Sequence, residues 1–322
     1  MPGFSRCYER LEMSLNLKRL AGVGTAALVL AALTACSTAP AASETPAADA
    51  GTFASGDENV LVFATLPDHE GADQDAQPIA DWIAEVTGKE VRFFEATDYT
   101  AVVQGLASGQ IDIAQISSFT YFQTQAAGGE IEPIGAQITK EGAEPGYFSV
   151  AVKNPASSVE SIEDFADQPV CFVNPTSTSG RAIPVAQLMT AGVTVSEENT
   201  VYGEEHDLNA ALVAEGTQCQ VGFAQDVDAD PLIESGALEE VARFQVPAAP
   251  IVMQAALPQE LKDLLYENIA GSTQASLTDA SIELNAFLTE NWFGFGPVED
   301  SYFDAIRAVC EQIADQVEAC QA

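Results

Sequence analysis

The chain is 322 residues long, 47% hydrophobic and 19% charged, which is enough apolar material for one large or two medium cores and excludes wholesale disorder. Its 48 acidic and 12 basic residues leave a formal net charge of −36. Such a surface repels nucleic-acid backbones and anionic lipid heads, so a nucleic-acid-binding role is excluded, and the acidity reads as solubility or a salt-rich habitat.

The N-terminus reads as an address. Lys18 and Arg19 precede the apolar run Leu20–Leu33, 14 residues that are too few to span a bilayer, and small residues follow. Residues 1–35 are therefore expected to be a secretory signal, with Met13 giving a more usual signal length than Met1. Leu33-Thr34-Ala35-Cys36 resembles the bacterial lipobox, which implies that Cys36 carries a lipid as the first mature residue. Residues 36–57, rich in Ala, Ser, Thr and Pro, bury too little surface to fold and are expected to be a flexible tether. A folded module held at the outer face of a membrane follows.

From Asn59 the pattern alternates. Val60–Leu66 is an apolar strand; Ile79, Trp82, Ile83 and Val86 share a helical face; Val91–Ala96 extends; Tyr99–Ser108 is helical; Ile111–Ile116 is a short buried strand. This predicts βαβ units and a mainly parallel sheet. A second set follows, with strands at Tyr147–Lys153, Val170–Val173, Thr200–Tyr202 and Val221–Ala224 and helices starting near Arg181, Asp207 and Val227. Two sets predict two lobes. The tail is helical, with amphipathic stretches at Leu261–Ile269, Ile282–Leu288 and Tyr302–Val317, and is expected to pack back across the first lobe.

Within the second set, VCFVNPTSTSG delivers Ser177, Thr178 and Ser179 to a helix start. Hydroxyls and free N–H groups there form an anion cradle, reinforced by the helix dipole; an ordinary N-cap is the alternative. Pro184 fits only a first helical turn, so a regular helix begins no earlier than about Gly180. Cys171, Cys219, Cys310 and Cys320 remain in an oxidising compartment and allow three pairings. Pairing 171 with 219, on neighbouring parallel strands, and 310 with 320, across a helix end, is favoured; free buried thiols are the alternative.

Several segments resemble one family. ATDYTAVVQGLASGQIDIAQISSFTY, EPGYFSV at 144–150, NPTSTSG at 174–180, GEEHD at 203–207 and PIVMQAALP at 250–258 are similar, in consistent order, to the phosphate/phosphite/phosphonate-binding lipoproteins of ABC transporters, with weaker echoes at 294–307. The resemblance implies an α/β, two-lobed type II periplasmic-binding-protein (Venus-flytrap) fold with hinge strands and a helical C-terminal tail. Lobe 1 is expected over 58–147 plus 247–322 and lobe 2 over 148–246. It implies that Ser177, Thr178 and Ser179 hold ligand oxygens, and that His206, Tyr99 and Tyr147 fall on the family's histidine and tyrosines. Relatives that take aminoalkylphosphonates place carboxylates at positions matching Val227 and Ala249. Without the second, an ammonium would be poorly paired, so phosphite, phosphate or a simple phosphonate is the expected ligand, with Asp226 accepting a hydrogen bond from a protonated ligand oxygen. Arg181 either adds charge to the site or pairs with a surface carboxylate. His69, matching no motif, is expected at the surface.

An enzyme built on Ser177, His206 and Asp226 is disfavoured, because no Gly-x-Ser-x-Gly context is present. Two distant histidines give no zinc spacing, and no cofactor is expected. The expected partners are a small oxyanion, the membrane through the lipid, and a permease with a separate cytoplasmic ATPase, since no phosphate-binding Gly-x-x-x-x-Gly-Lys loop is present. The protein is expected to be monomeric. A module serving a membrane sensor, or the same fold with a sulfonate or aminoalkylphosphonate, is the alternative.

Overall fold

The computed structural model describes residues 51–321. The expected signal (1–35), Cys36 and most of the tether lie outside the described residues. Residues 51–57, expected as the end of the tether, lie against the body. The Thr52 N–H donates to the Ala256 carbonyl, Phe53 packs against the core, and the Ala54 N–H donates to the buried Asp112 carboxylate at 2.8 Å. A single large ring and two backbone bonds suffice to end a polar tether there.

In chain order the first lobe begins with β1 (Val60–Thr65), α1 (Ala72–Thr87), β2 (Glu90–Phe93), α2 (Tyr99–Ala107), β3 (Ile113–Gln115), α3 (Ser118–Ala126) and β4 (Ile131–Ile138). The second comprises β5 (Tyr147–Lys153), β6 (Val170–Phe172), α4 (Ile183–Thr190), β7 (Thr200–Tyr202), α5 (His206–Glu215), β8 (Val221–Gln225), α6 (Asp226–Glu234) and β9 (Glu239–Val246). The chain then returns through β10 (Pro250–Gln254), α7 (Gln259–Ile269), β11 (Ser272–Thr273), α8 (Gln274–Asp279), α9 (Ala286–Asn291), β12 (Gly294–Gly296) and α10 (Asp304–Ile313).

A seven-stranded sheet has the order β11-β12-β4-β10-β3-β1-β2, and a five-stranded sheet the order β7-β6-β8-β5-β9. The expectation of mainly parallel sheets holds only for their β-α-β cores, β2-β1-β3 and β7-β6-β8. Strands that enter from the other lobe run the opposite way: β10 is antiparallel to β3 and β4, and β5 is antiparallel to β8 and β9. A strand without a crossover helix has no need to be parallel. Leu61, Phe63 and Ile251 pack under α1 and α7, and Ala64, Ala114 and Val252 under α2 and α3; Leu61, Phe63, Ile251 and Val252 each contribute roughly 1.5–3 kcal/mol by their burial.

The tail departs from expectation twice. The stretch Ile282–Leu288 is not one helix, for residues 280–285 lie between the short α8 and α9. And α10 does not simply cross the first lobe. Its apolar face, Ile306, Cys310 and Ile313 at helical spacing, shares a core with Phe119 of α3 and with Ala186 and Leu188 of α4, one from each lobe. Both disulfides are present in the favoured pairing, 171 with 219 and 310 with 320. Cys171 stands on β6 beside parallel β8, and α10 ends at Ile313 so that a 3-10 turn, Glu318–Cys320, can return to it.

Candidate ligand-binding site

The lobes face one another across a cleft of about 470 Å³ whose walls include Tyr99, Ser117, Tyr147, Ser177, His206 and Asp226. Beyond β6 the chain makes a π-helical turn, Thr178–Ala182, before α4 starts, so the hydroxyl triplet precedes the regular helix as Pro184 requires. Gly180 lets that turn close on the sheet: a Cβ there would stand 2.4 Å from the Val173 side chain.

The three hydroxyls do different things. Ser177, 1% exposed, accepts the Gly180 N–H at 3.0 Å and stands on the cleft wall, so one oxygen is both helix cap and site residue. Thr178 Oγ1 accepts the Phe119 N–H at 2.8 Å and thereby ties the turn to α3 of the first lobe. Ser179 Oγ accepts from the Tyr147 hydroxyl at 3.3 Å, and its carbonyl accepts from Ser149. Neither Thr178 nor Ser179 is among the residues lining the cleft, although both carry first-turn N–H groups that a helix cannot satisfy internally.

His206 opens α5, and its N–H donates across the lobes to the Asp68 carbonyl at 2.8 Å. Its Nδ1 accepts the Gln225 N–H at 3.3 Å. A neutral imidazole that accepts at Nδ1 must hold its proton on Nε2, and burial keeps the ring neutral by pushing its pKa down to about 4. The Nε2–H lies 3.3 Å from Ser177 Oγ. This arrangement also removes a Ser-His nucleophile: in such a pair Nε2 takes the serine proton and Nδ1 donates to a carboxylate, whereas here Nε2 donates and Nδ1 accepts.

Tyr99 begins α2, which Asp98 caps, and is 2% exposed. Burial pushes the Tyr99 and Tyr147 hydroxyls well above the usual phenol range, so both stay protonated donors. Asp226, buried at the start of α6, accepts the Phe148 N–H at 3.2 Å, and burial raises its pKa; Lys140, an exposed residue, stands 3.9 Å away. Two further wall residues escaped the sequence reading. Ser117 caps α3, and its serine-rich context was visible in the SSFTY segment. His69 is not a surface residue: it is held between Asp68 and Asp75 at 2.8 and 3.0 Å and stacks on Phe287. Burial opposes its charge, but the two carboxylates outweigh that and hold its pKa up at about 9. Arg181 meets neither expectation. It stacks on Phe172 at 4.4 Å, forms no salt bridge among the described residues and does not line the cleft.

The site thus offers neutral donors from both lobes, with the carboxylate-held His69 and a buried carboxylate, Asp226, beside them. Residues 63–302 match the family described as the periplasmic phosphonate substrate-binding protein of ABC transporters. The chain is 30% identical over 286 residues to the phosphate-import protein PhnD of Mycolicibacterium smegmatis, covering 81% of this chain and 88% of that protein. It is 27% identical over 193 residues to the phosphonates-binding periplasmic protein of Escherichia coli, 56% of each chain. Among solved structures, a binding protein of an ABC phosphonate transporter from Pseudomonas aeruginosa superposes with a TM-score of 0.67 at 22% identity, over 82% of this chain and 89% of that one. PhnD1 of Prochlorococcus marinus in complex with methylphosphonate gives 0.63 at 19% identity, over 80% and 98%.

Proposed function

The chain belongs to the periplasmic phosphonate-binding proteins of ABC transporters, and from that premise we propose that it captures a small phosphorus oxyanion, phosphite, phosphate or a simple phosphonate, between its two lobes. The observation that carries this reading is the fixed tautomer of His206, which aims an N–H rather than a lone pair at Ser177. Tyr99 and Ser177 donate to the ligand oxygens, Tyr147 and His206 turn their single protons from Ser179 and Ser177 to the ligand as it enters, and none of the four carries a formal charge. Ser179 acts by orienting Tyr147, Thr178 by joining the lobes, and the first-turn amides of both add to the cradle. Asp226 accepts a hydrogen bond from a protonated ligand oxygen, a contact that fully ionised sulfate cannot make.

We infer that the capture module is held at the outer face of the membrane by its N-terminus. Cys36 carries the lipid, and the monomeric closed form docks on a permease driven by a separate ATPase. No helix among the described residues is long and apolar enough to cross a membrane. Calorimetric titration with phosphite, phosphate, methylphosphonate, aminoethylphosphonate and sulfate tests the reading. The first three bind and sulfate does not; aminoethylphosphonate binds weakly because Ala249 leaves its ammonium without the second carboxylate. Tight sulfate binding with no phosphorus ligand would overturn it.

A further inference from the structure

Among the described residues the chain passes between the lobes at three places. Two are the links expected of the fold, from β4 to β5 through Pro145 and from β9 to β10 through Ala248. The third leads from β12 through a 3-10 turn, Asp300–Phe303, into α10. That third passage is fastened at both ends. Asp300 accepts from the Tyr121 hydroxyl at 2.8 Å and from Gln125 at 2.9 Å, both on α3 of the first lobe. Gln312, on α10, donates to the Ala186 carbonyl at 3.0 Å and to Thr190 at 3.1 Å, both on α4 of the second.

Between these anchors stands Tyr302. Its hydroxyl accepts the Ala248 N–H at 2.9 Å and donates to the Pro145 carbonyl at 3.0 Å. One oxygen is therefore bonded to both of the other links. Burial raises the pKa of this phenol, so its proton stays in place for the bond to Pro145. Ala248 also lines the ligand cleft, and its carbonyl accepts from Ser118 at the start of α3. The hydroxyl, the hinge and the cleft wall are thus consecutive contacts.

We propose that Tyr302 is a positioning residue for ligand capture: its hydroxyl pins the two hinge links to each other, fixes the angle at which the lobes meet, and favours their closed arrangement. A phenol suits this task because a rigid ring delivers one donor and one acceptor to the same point. If Pro145 and Ala248 move apart as the lobes separate, the two bonds cannot both survive, and their free energy is then part of the closing equilibrium. The proposal rests on capture by lobe closure as read above.

Tyr302→Phe tests it, since the ring is kept and only the shared oxygen is lost. Small-angle scattering without ligand should show a larger radius of gyration than the parent protein. Calorimetry should show the Kd for phosphite and for methylphosphonate raised by the same factor, about 5- to 100-fold if both bonds are expressed in the closed form. Tyr266→Phe, which removes an exposed hydroxyl on α7 that touches neither the passage nor the cleft, should leave both Kd values unchanged. A Tyr302→Phe protein with the parent's radius of gyration and Kd would sink the proposal. Should that variant not fold, amide exchange in the parent decides: the Ala248 N–H must exchange more slowly with saturating phosphite, and an unchanged rate overturns the assignment. Scattering without ligand is independent of ligand identity. A parent that binds none of the phosphorus ligands therefore fails the capture reading, while equal scattering profiles fail this one.

Discussion

Ser177→Ala separates the structural and functional duties of a single oxygen. In the folded protein that oxygen accepts the Gly180 N–H at 3.0 Å and lies 3.3 Å from His206 Nε2, in a site where Ser177 is 1% exposed. Losing the cap costs about 0.5–2 kcal/mol of stability, which calorimetric or urea unfolding can read directly. Losing a hydrogen bond to a charged ligand costs about 1.5–3 kcal/mol of affinity, or about 10- to 150-fold in Kd. The two losses can be told apart with Tyr147→Phe, which removes a cleft donor bonded to Ser179 but no helix cap. That variant should lose affinity with little change in melting temperature, whereas Ser177→Ala should lose both. The assay is phosphite titration at pH 7 alongside thermal melting of both variants. A Ser177→Ala protein that is less stable yet binds with the parent's Kd would refute the argument, because Ser177 would then be a cap and nothing more.

Asp228 carries a buried oxygen with no hydrogen-bond partner, and burial, with Asp68 and Asp207 adding repulsion, pushes its pKa up to about 7. A carboxyl raised in the folded state loses stability for the protein as pH climbs from the usual carboxylate range through that value; Asp228→Asn should therefore gain on the parent in melting temperature between pH 4 and pH 8, and a constant difference would contradict this. The disulfides should differ in worth. Cys171–Cys219 closes a sequence separation of 48 and Cys310–Cys320 one of 10, so loop entropy assigns them about 4 and about 3 kcal/mol; paired Cys→Ala variants unfolded in urea should rank in that order, and the reverse order would show that loop length does not govern. With a net charge of −36 around neutral donors, the association rate for phosphite should rise as salt is raised from about 10 mM to 150 mM, because the Debye length falls from roughly 30 to 8 Å; stopped-flow rates that fall with salt would instead indicate an attractive basic funnel.

Local patterns carried much of the fold. The runs expected at Val60–Leu66 and Tyr147–Lys153 stand as the strands Val60–Thr65 and Tyr147–Lys153, and Tyr99, Tyr147, Ser177, His206 and Asp226 all reach the cleft wall. What was illegible is relational. Glu132-Pro133 interrupts β4, and Glu239 and Glu240 lead into β9 at the sheet edge, so neither presents a strong apolar period. Nothing local tells β10 to run against β3, because strand direction is set by which lobe the chain has just left. The three hydroxyls of residues 177–179 look equivalent in sequence, and only the π-helical turn distributes them to three different partners. His69 was misplaced because its partners, Asp68 and Asp75, read singly as solvated acids.

Helix α3 begins with a donor that its own lobe leaves to the neighbour. Ser117 satisfies the Thr120 N–H, but the Phe119 N–H is satisfied by Thr178 of the other lobe. A lobe opening that separated these two residues would strip the first turn of α3 of a partner, and closing would restore it. Because residues 117 to 120 are buried, the coupling is internal: the cost of baring the Phe119 N–H falls on any motion that separates α3 from the turn after β6, without any contact to the ligand.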